Sequence, residues 1–230
     1  MSHIINPFRF GGTFSPADLT HIIHWWKALE ITGLSNTDPV STWPDLIGSA
    51  DFTGSSTTRP LYYTNSGDPY VEFDGTDDYL QATVTALSAD AVIVAVLEYL
   101  SASPDYGIFL NDSATLQFGR NSNQNSLLFR LVSGGDLTVA MPSSPTGDMA
   151  FLYERIGSSG RASINNTEST GTVGTGTTGT TLQMGQFQSV PGTYNGNIRV
   201  KEIFICDDSF ETGEEANVAT YLSDLYGVTL

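Results

Sequence analysis

Glu72 and Asp74 stand two residues apart in the run Val71-Glu72-Phe73-Asp74-Gly75-Thr76-Asp77-Asp78-Tyr79-Leu80. On a strand that spacing puts both carboxylates on one face. Paired carboxylates flanking a glycosidic bond are what glycoside hydrolysis requires. The pattern stops there, because Gly75 turns the chain and Thr76 holds the next alternate position. No third carboxylate continues the alternation, and no enzyme is expected. Asp74, Asp77 and Asp78 offer hard oxygen ligands that suit Ca²⁺, although not at EF-hand spacing. A solvated polar turn explains the same residues, so the expectation is no cofactor, with Ca²⁺ at these three acids as the one candidate. His21 and His24 are three apart; on a strand they point to opposite faces and cannot share an ion. Cys206 follows Ile203-Phe204-Ile205 and reads as a small core side chain rather than a reactive thiol. No G-x-S-x-G elbow, Walker A loop or dinucleotide fingerprint occurs.

Without a nucleophile or a complete acid pair, binding is the remaining chemistry. Neutral sugars are held by aromatic rings stacked on their apolar faces and by amides bonded to their hydroxyls. Trp25 and Trp26 are adjacent, so on a strand one faces the core and the other the opposite side. Trp26, Tyr106 and the polar loop residues Asn121, Asn123, Gln124 and Asn125 are the candidate ligand contacts. Each also has a plain structural reading, as cover under a loop or as an ordinary hairpin.

The elements that must carry these residues are strands. Ser and Thr number 24 and 27, with 23 Gly, a composition of strands and turns rather than helices. Strands are expected at Ile22–Ile31, Tyr70–Phe73, Tyr79–Thr83, Ala91–Tyr99, Gly107–Leu110 and Leu116–Gly119. Six more are expected at Leu127–Val132, Leu137–Ala140, Ala150–Ile156, Ala162–Ile164, Thr181–Gln186 and Asn197–Cys206. Their spacing predicts a β-sandwich or jelly roll. The low-complexity stretch Thr170–Thr181 reads as a weak edge strand or a long hairpin. Ser15-Pro16-Ala17-Asp18 predicts one short helical turn. Thr212 and Glu215 predict a capping box for a longer helix, with Val218, Leu222 and Leu225 on its apolar face and Gly227 at its end.

The chain carries 25 acids against nine Lys and Arg, a formal charge of −16 over 230 residues. That excludes counterion-displacing nucleic-acid binding and docking on anionic membranes. The longest apolar run, Ala91 to Leu100, contains Glu98 and is too short to span a bilayer, and no signal-peptide core is visible. All the acids lie from Asp18 onward. Residues 1–13 therefore form an arm, with Ile4, Ile5, Phe8, Arg9 and Phe10, ahead of a domain at 14–230. An apolar, slightly basic arm is a good docking peptide.

Four pieces in order carry a family resemblance: Trp43-Pro44-Asp45, Arg59-Pro60, Phe73-Asp74-Gly75-Thr76-Asp77-Asp78-Tyr79-Leu80, and a closing Tyr221-Leu222 with Leu225-Tyr226-Gly227. Together they resemble the laminin-G-like jelly-roll modules of the concanavalin A-like lectin/glucanase superfamily, from about Ser15 to Val228. Relatives usually follow W-x-D with Ser-Gly and an Asn, whereas Leu46-Ile47-Gly48 follows here. The resemblance implies an all-β, two-sheet antiparallel jelly-roll sandwich, here with an N-terminal extended arm and a C-terminal amphipathic helix. It also implies that Ca²⁺ is the metal to consider. Glucanases of this fold use E-x-D-x-E, which Glu72-Phe73-Asp74 begins and does not complete. The start Ile5-Asn6-Pro7-Phe8-Arg9-Phe10-Gly11 is similar to those of tailed-phage virion proteins carrying such jelly rolls. The expected function is therefore a non-enzymatic virion protein, a capsid decoration or fibre/baseplate component. Its arm would bind other virion proteins and its lectin-like domain would reach host-surface glycans, in a homo-oligomer. The alternative is a secreted or cell-surface carbohydrate-binding module.

Overall fold

The computed structural model describes residues 14–55, 57–87, 90–100, 108–112, 115–120, 126–131, 135–141, 147–187 and 194–230. The arm residues Ile4, Ile5, Phe8, Arg9 and Phe10 lie outside them, as do Tyr106, Asn121, Asn123, Gln124 and Asn125.

Sixteen strands are described. In chain order they are β1 Ile22–Lys27, β2 Thr42–Trp43, β3 Phe52–Thr53, β4 Leu61–Tyr63, β5 Tyr70–Asp74, β6 Leu80–Thr83, β7 Ala91–Tyr99 and β8 Ile108–Asn111. Then come β9 Leu116–Arg120, β10 Ser126–Leu131, β11 Leu137–Ala140, β12 Met149–Ile156, β13 Ser159–Ile164, β14 Thr167–Thr172, β15 Thr181–Met184 and β16 Asn197–Cys206. One α-helix, α1, spans Glu214–Tyr226. Two eight-stranded antiparallel sheets form. The first runs β14-β13-β12-β7-β16-β5-β4, with β1 also on β16; the second runs β11-β10-β9-β8-β15-β6-β3-β2. The expected two-sheet sandwich with a C-terminal helix is what the chain adopts.

Period-two alternation explains the core. Ala91, Ile93, Ala95 and Leu97 of β7 face the second sheet with Trp43, Phe52, Phe118 and Phe129. Val92, Val94 and Val96 face outward and are covered by α1 through Val218 and Leu222. A strand buried on both faces reads as one continuous apolar run, which β7 does. Cys206 is among the residues under α1, and burial pushes its thiol pKa up to about 12. That fits the inert core role expected of it.

Several expectations need correction. The first strand ends at Lys27, and Ala28–Glu30 form a 3-10 turn that drops the buried Ala28 into the core. The low-complexity stretch does meet the edge-strand reading at its start, where it closes the edge strand β14, and its last residue, Thr181, opens β15. The Thr212–Glu215 capping box does not form; Gly213, at φ +90°, occupies the N-cap. Glu215 is drawn away to Arg161, at 2.8 and 2.9 Å. Glu214 takes over at the helix start by accepting from the amides of Thr20 and Glu211, at 2.7 and 2.8 Å. Leu225 stays 42% exposed, while Tyr221 and Tyr226 share the inner face of α1 with Leu222. By contrast, the Ser15 turn forms as expected, with its reciprocal capping box.

The W-x-D piece has a clear job. The Asp45 carboxylate is buried and accepts from the amides of Trp25, Ile47 and Ala50 at 3.0, 3.2 and 3.1 Å. It also lies 2.7 Å from His24 Nδ1, which must donate to an ionised carboxylate. Burial alone would raise its pKa; the bonds from His24 and from the Trp25, Gly48 and Ile47 amides outweigh it and hold the group at about 2. A carboxylate lowered from 3.8 to about 2 contributes stability that is complete above the unfolded value and is lost as pH falls through the folded one. Asp45→Asn should therefore cost about 2 kcal/mol at pH 7 and flatten the loss of stability toward pH 2. Urea midpoints measured across that range check it; an unchanged acid limb would refute the role.

Candidate functional site

The outer face of the first sheet divides into two halves. One half lies under α1. The other carries polar and aromatic side chains from β4, β5, β7 and β16. Tyr70, Glu72 and Asp74 alternate with the core residues Val71 and Phe73, so all three point outward.

A β-bulge shapes the dividing line. The register of β16 with β7 shifts between Val200 and Glu202. Ile198, Val200, Ile203 and Ile205 stay in the inter-sheet core, so the shift puts two successive residues, Lys201 and Glu202, on the outer face. Glu202 goes beneath α1. Its buried carboxylate accepts from Trp25 Nε1 at 2.7 Å, from the Tyr221 hydroxyl at 2.8 Å and from the Tyr226 hydroxyl. Lys201 goes the other way and donates to Asp68 and Asp148.

Around Lys201 the open half forms a small cavity of about 160 Å³ lined by Asp68, Tyr70, Glu98, Asp148, Arg199 and Lys201. Arg199 lies over the Tyr70 ring, 4.7 Å from its centroid. It donates to Glu72 at 2.7 Å and to Glu98 at 3.2 Å. The rings of Tyr63 and Tyr70 stack at 5.1 Å and 18°. At the rim, Asn65 and Ser66 sit at φ +22° and +53°, left-handed positions that non-glycine residues enter only when held there.

The predicted site residues fall in different places. Trp26 is a correction. It is fully buried in the inter-sheet core, with rings of Phe52 and His24 at 4.6 and 5.2 Å, and its Nε1 donates to Ala50. The alternation of the two tryptophans holds but its assignment is reversed. Trp25 faces outward, and even it is spanned by Glu202 and α1. Glu72 is an ion-pair partner of Arg199 rather than a free acid. Asp74, Asp77 and Asp78 do come together, each with a carboxylate oxygen within 4.8 Å of the others. Asp78 is buried, which pushes its pKa up to about 6, with Asp74 and Asp77 adding to the rise. Arg199, Lys201, Glu98 and Asp148 were not anticipated. The outward alternation of Arg199 and Lys201 along a predicted strand was the available signal.

No protein-family model and no curated protein matches the sequence. Solved structures match the fold. The chain superposes on Trypanosoma rangeli sialidase in complex with sialic acid over 93% of its own length and 34% of that chain, with a TM-score of 0.64 and 10% identity. It spans 92% of itself and 53% of a botulinum neurotoxin type C chain whose passage into cells depends on two ganglioside molecules, at a TM-score of 0.61 and 14% identity. A receptor-binding domain matches at 0.60 and 14%, over 89% and 51%. The chain thus spans about a third of the sialidase chain and about half of the other two. The expectation that the chain is not an enzyme is overturned here. It rested on an incomplete carboxylate pattern, and the same sandwich is found within sialidase chains. What the likeness establishes is the architecture, a two-sheet antiparallel β-sandwich.

Proposed function

We propose that this chain is a carbohydrate-binding module that holds a sugar on the open half of its first sheet, at Tyr63, Tyr70 and the cavity beside Lys201. The observation that carries this reading is the half-buried Tyr63 ring, backed by the buried Tyr70 ring, beside a charged cavity on the same face. Rings cover the apolar face of a sugar, and fixed polar groups bond its hydroxyls. The sialidase bound to sialic acid and the ganglioside-dependent toxin, both built on this sandwich, support it. Asp74, Asp77 and Asp78 would hold Ca²⁺ at the turn after β5. Three carboxylates supply fewer than the six to eight oxygens Ca²⁺ takes, so carbonyls or water must complete the shell. A glycan array probed at high concentration, with Ca²⁺ and again with chelator, is the test. Binding should appear and weaken about three- to tenfold in Tyr63→Ala, the loss expected for one stacking contact. An array without a hit under either condition sinks the reading. A calorimetric titration without heat or a melting shift removes Ca²⁺ alone.

The arm supports a wider setting, a tailed-phage virion component whose residues 1–13 tether the sandwich to other virion proteins in a homo-oligomer. The specific observation is compositional: four large apolar residues and no acid before Asp18, ahead of a body with 25 acids. Deleting residues 1–12 should leave the domain folded and abolish incorporation into particles. Full incorporation of the truncated chain would exclude the tether.

A further inference from the structure

We infer that the cavity beside Lys201 selects a sugar bearing a free amine over neutral sugars and turns acidic sugars away; this rests on the reading that this face binds sugars. The argument is one of charge already spent. Each cation of the site spans two carboxylates. Arg199 donates to Glu72 and Glu98, at 2.7 and 3.2 Å. Lys201, with its side chain 6% exposed, donates to Asp68 and Asp148. Glu98 also accepts the Gly147 amide at 2.9 Å. An incoming carboxylate therefore finds no unengaged cation and meets four carboxylates against two positive groups. To pair with Lys201 or Arg199 it would have to displace an acid that is tied to the fold.

An ammonium group meets the opposite situation. The Asp68 carboxylate is half-exposed, at 48%, and stands beside the deeper Asp148, at 21%. Burial raises the pKa of Asp148 by more than the bond and charge of Lys201 lower it, and Asp68 and Glu98 add smaller upward pushes. The site is thus short of positive charge where a ligand would arrive. The formal charge of −16 repels acids at longer range as well.

The test is calorimetric titration of the full chain with glucosamine, glucose and glucuronic acid, at pH 6.5 and low salt. Glucosamine should bind about fivefold more tightly than glucose, the effect of one unit charge at about 4 Å in water. Glucuronic acid should bind more weakly than glucose. The gap between glucosamine and glucose should close in 1 M salt, where the Debye length is about 3 Å. Asp68→Asn, with folding verified by its melting curve, should lower the glucosamine-to-glucose affinity ratio to about twofold or less. Glucuronic acid binding as tightly as glucosamine overturns the inference and leaves the sugar-binding reading standing. So does an amine preference that survives both salt and Asp68→Asn. Absence of binding by all three sugars removes both.

Discussion

Glu202→Ala should destabilise the domain by about 3–5 kcal/mol, the loss expected when one partner of a buried charged network is removed. The carboxylate is 1% exposed and is the shared acceptor of Trp25 Nε1, the Tyr221 hydroxyl and the Tyr226 hydroxyl. Alanine leaves three donors facing a void between sheet and helix, and a buried donor without an acceptor costs about 1–3 kcal/mol. Lys27 feels the change too, because its ammonium donates to the Tyr221 hydroxyl at 3.0 Å. Glu202→Gln should cost less. It keeps the volume and one acceptor oxygen, and it removes a charge whose burial already pushes the Glu202 pKa up. Denaturant midpoints of the two variants rank them. If Glu202→Ala lowers stability by less than about 1 kcal/mol, the carboxylate is not what ties α1 to the sheet.

Trp26→Ala should cost a similar amount, about 3–5 kcal/mol, as for other large-to-small aromatic truncations in cores. The ring fills space between the sheets beside Phe52 and His24, and its Nε1 satisfies the carbonyl of Ala50. The variant separates two roles for one residue. A core tryptophan predicts a lower unfolding midpoint with ligand affinity unchanged in whatever fraction stays folded. A ligand-contacting tryptophan predicts the reverse, with stability untouched and affinity reduced, and that outcome would restore Trp26 to the surface role its neighbour-to-neighbour alternation first suggested.

The architecture was legible because strands announce themselves locally. Alternation and apolar runs placed Ala91–Tyr99 and Asn197–Cys206 with the bounds the structure gives. The open-face cavity was hidden for a different reason. Asp68 and Asp148 reach Lys201 from turns 133 and 53 residues away in sequence. Only the completed sheet makes them neighbours. The bulge at Lys201 was equally invisible, because it inserts a phase shift into a strand whose composition does not mark it. Short strands such as Thr42–Trp43 and Phe52–Thr53 were missed since two residues display no period. Trp25 and Trp26 show the limit in its simplest form. Period two says that they diverge, and only the second sheet and α1 say which one is inside.

The position of β16 has a consequence for how the molecule comes into being. It lies in the middle of the first sheet, hydrogen-bonded to β7 on one side and to β5 and β1 on the other. It is also the last strand in chain order. During synthesis, β1, β4 and β5 are made long before β16, which among the described strands is the one that joins them to β7. Without Asn197–Cys206 the described strands of the first sheet fall into three pieces, β14-β13-β12-β7, β5-β4 and β1. Completion of the sheet therefore depends on contacts between segments far apart in sequence. Such long-range closure slows folding and prolongs exposure to aggregation.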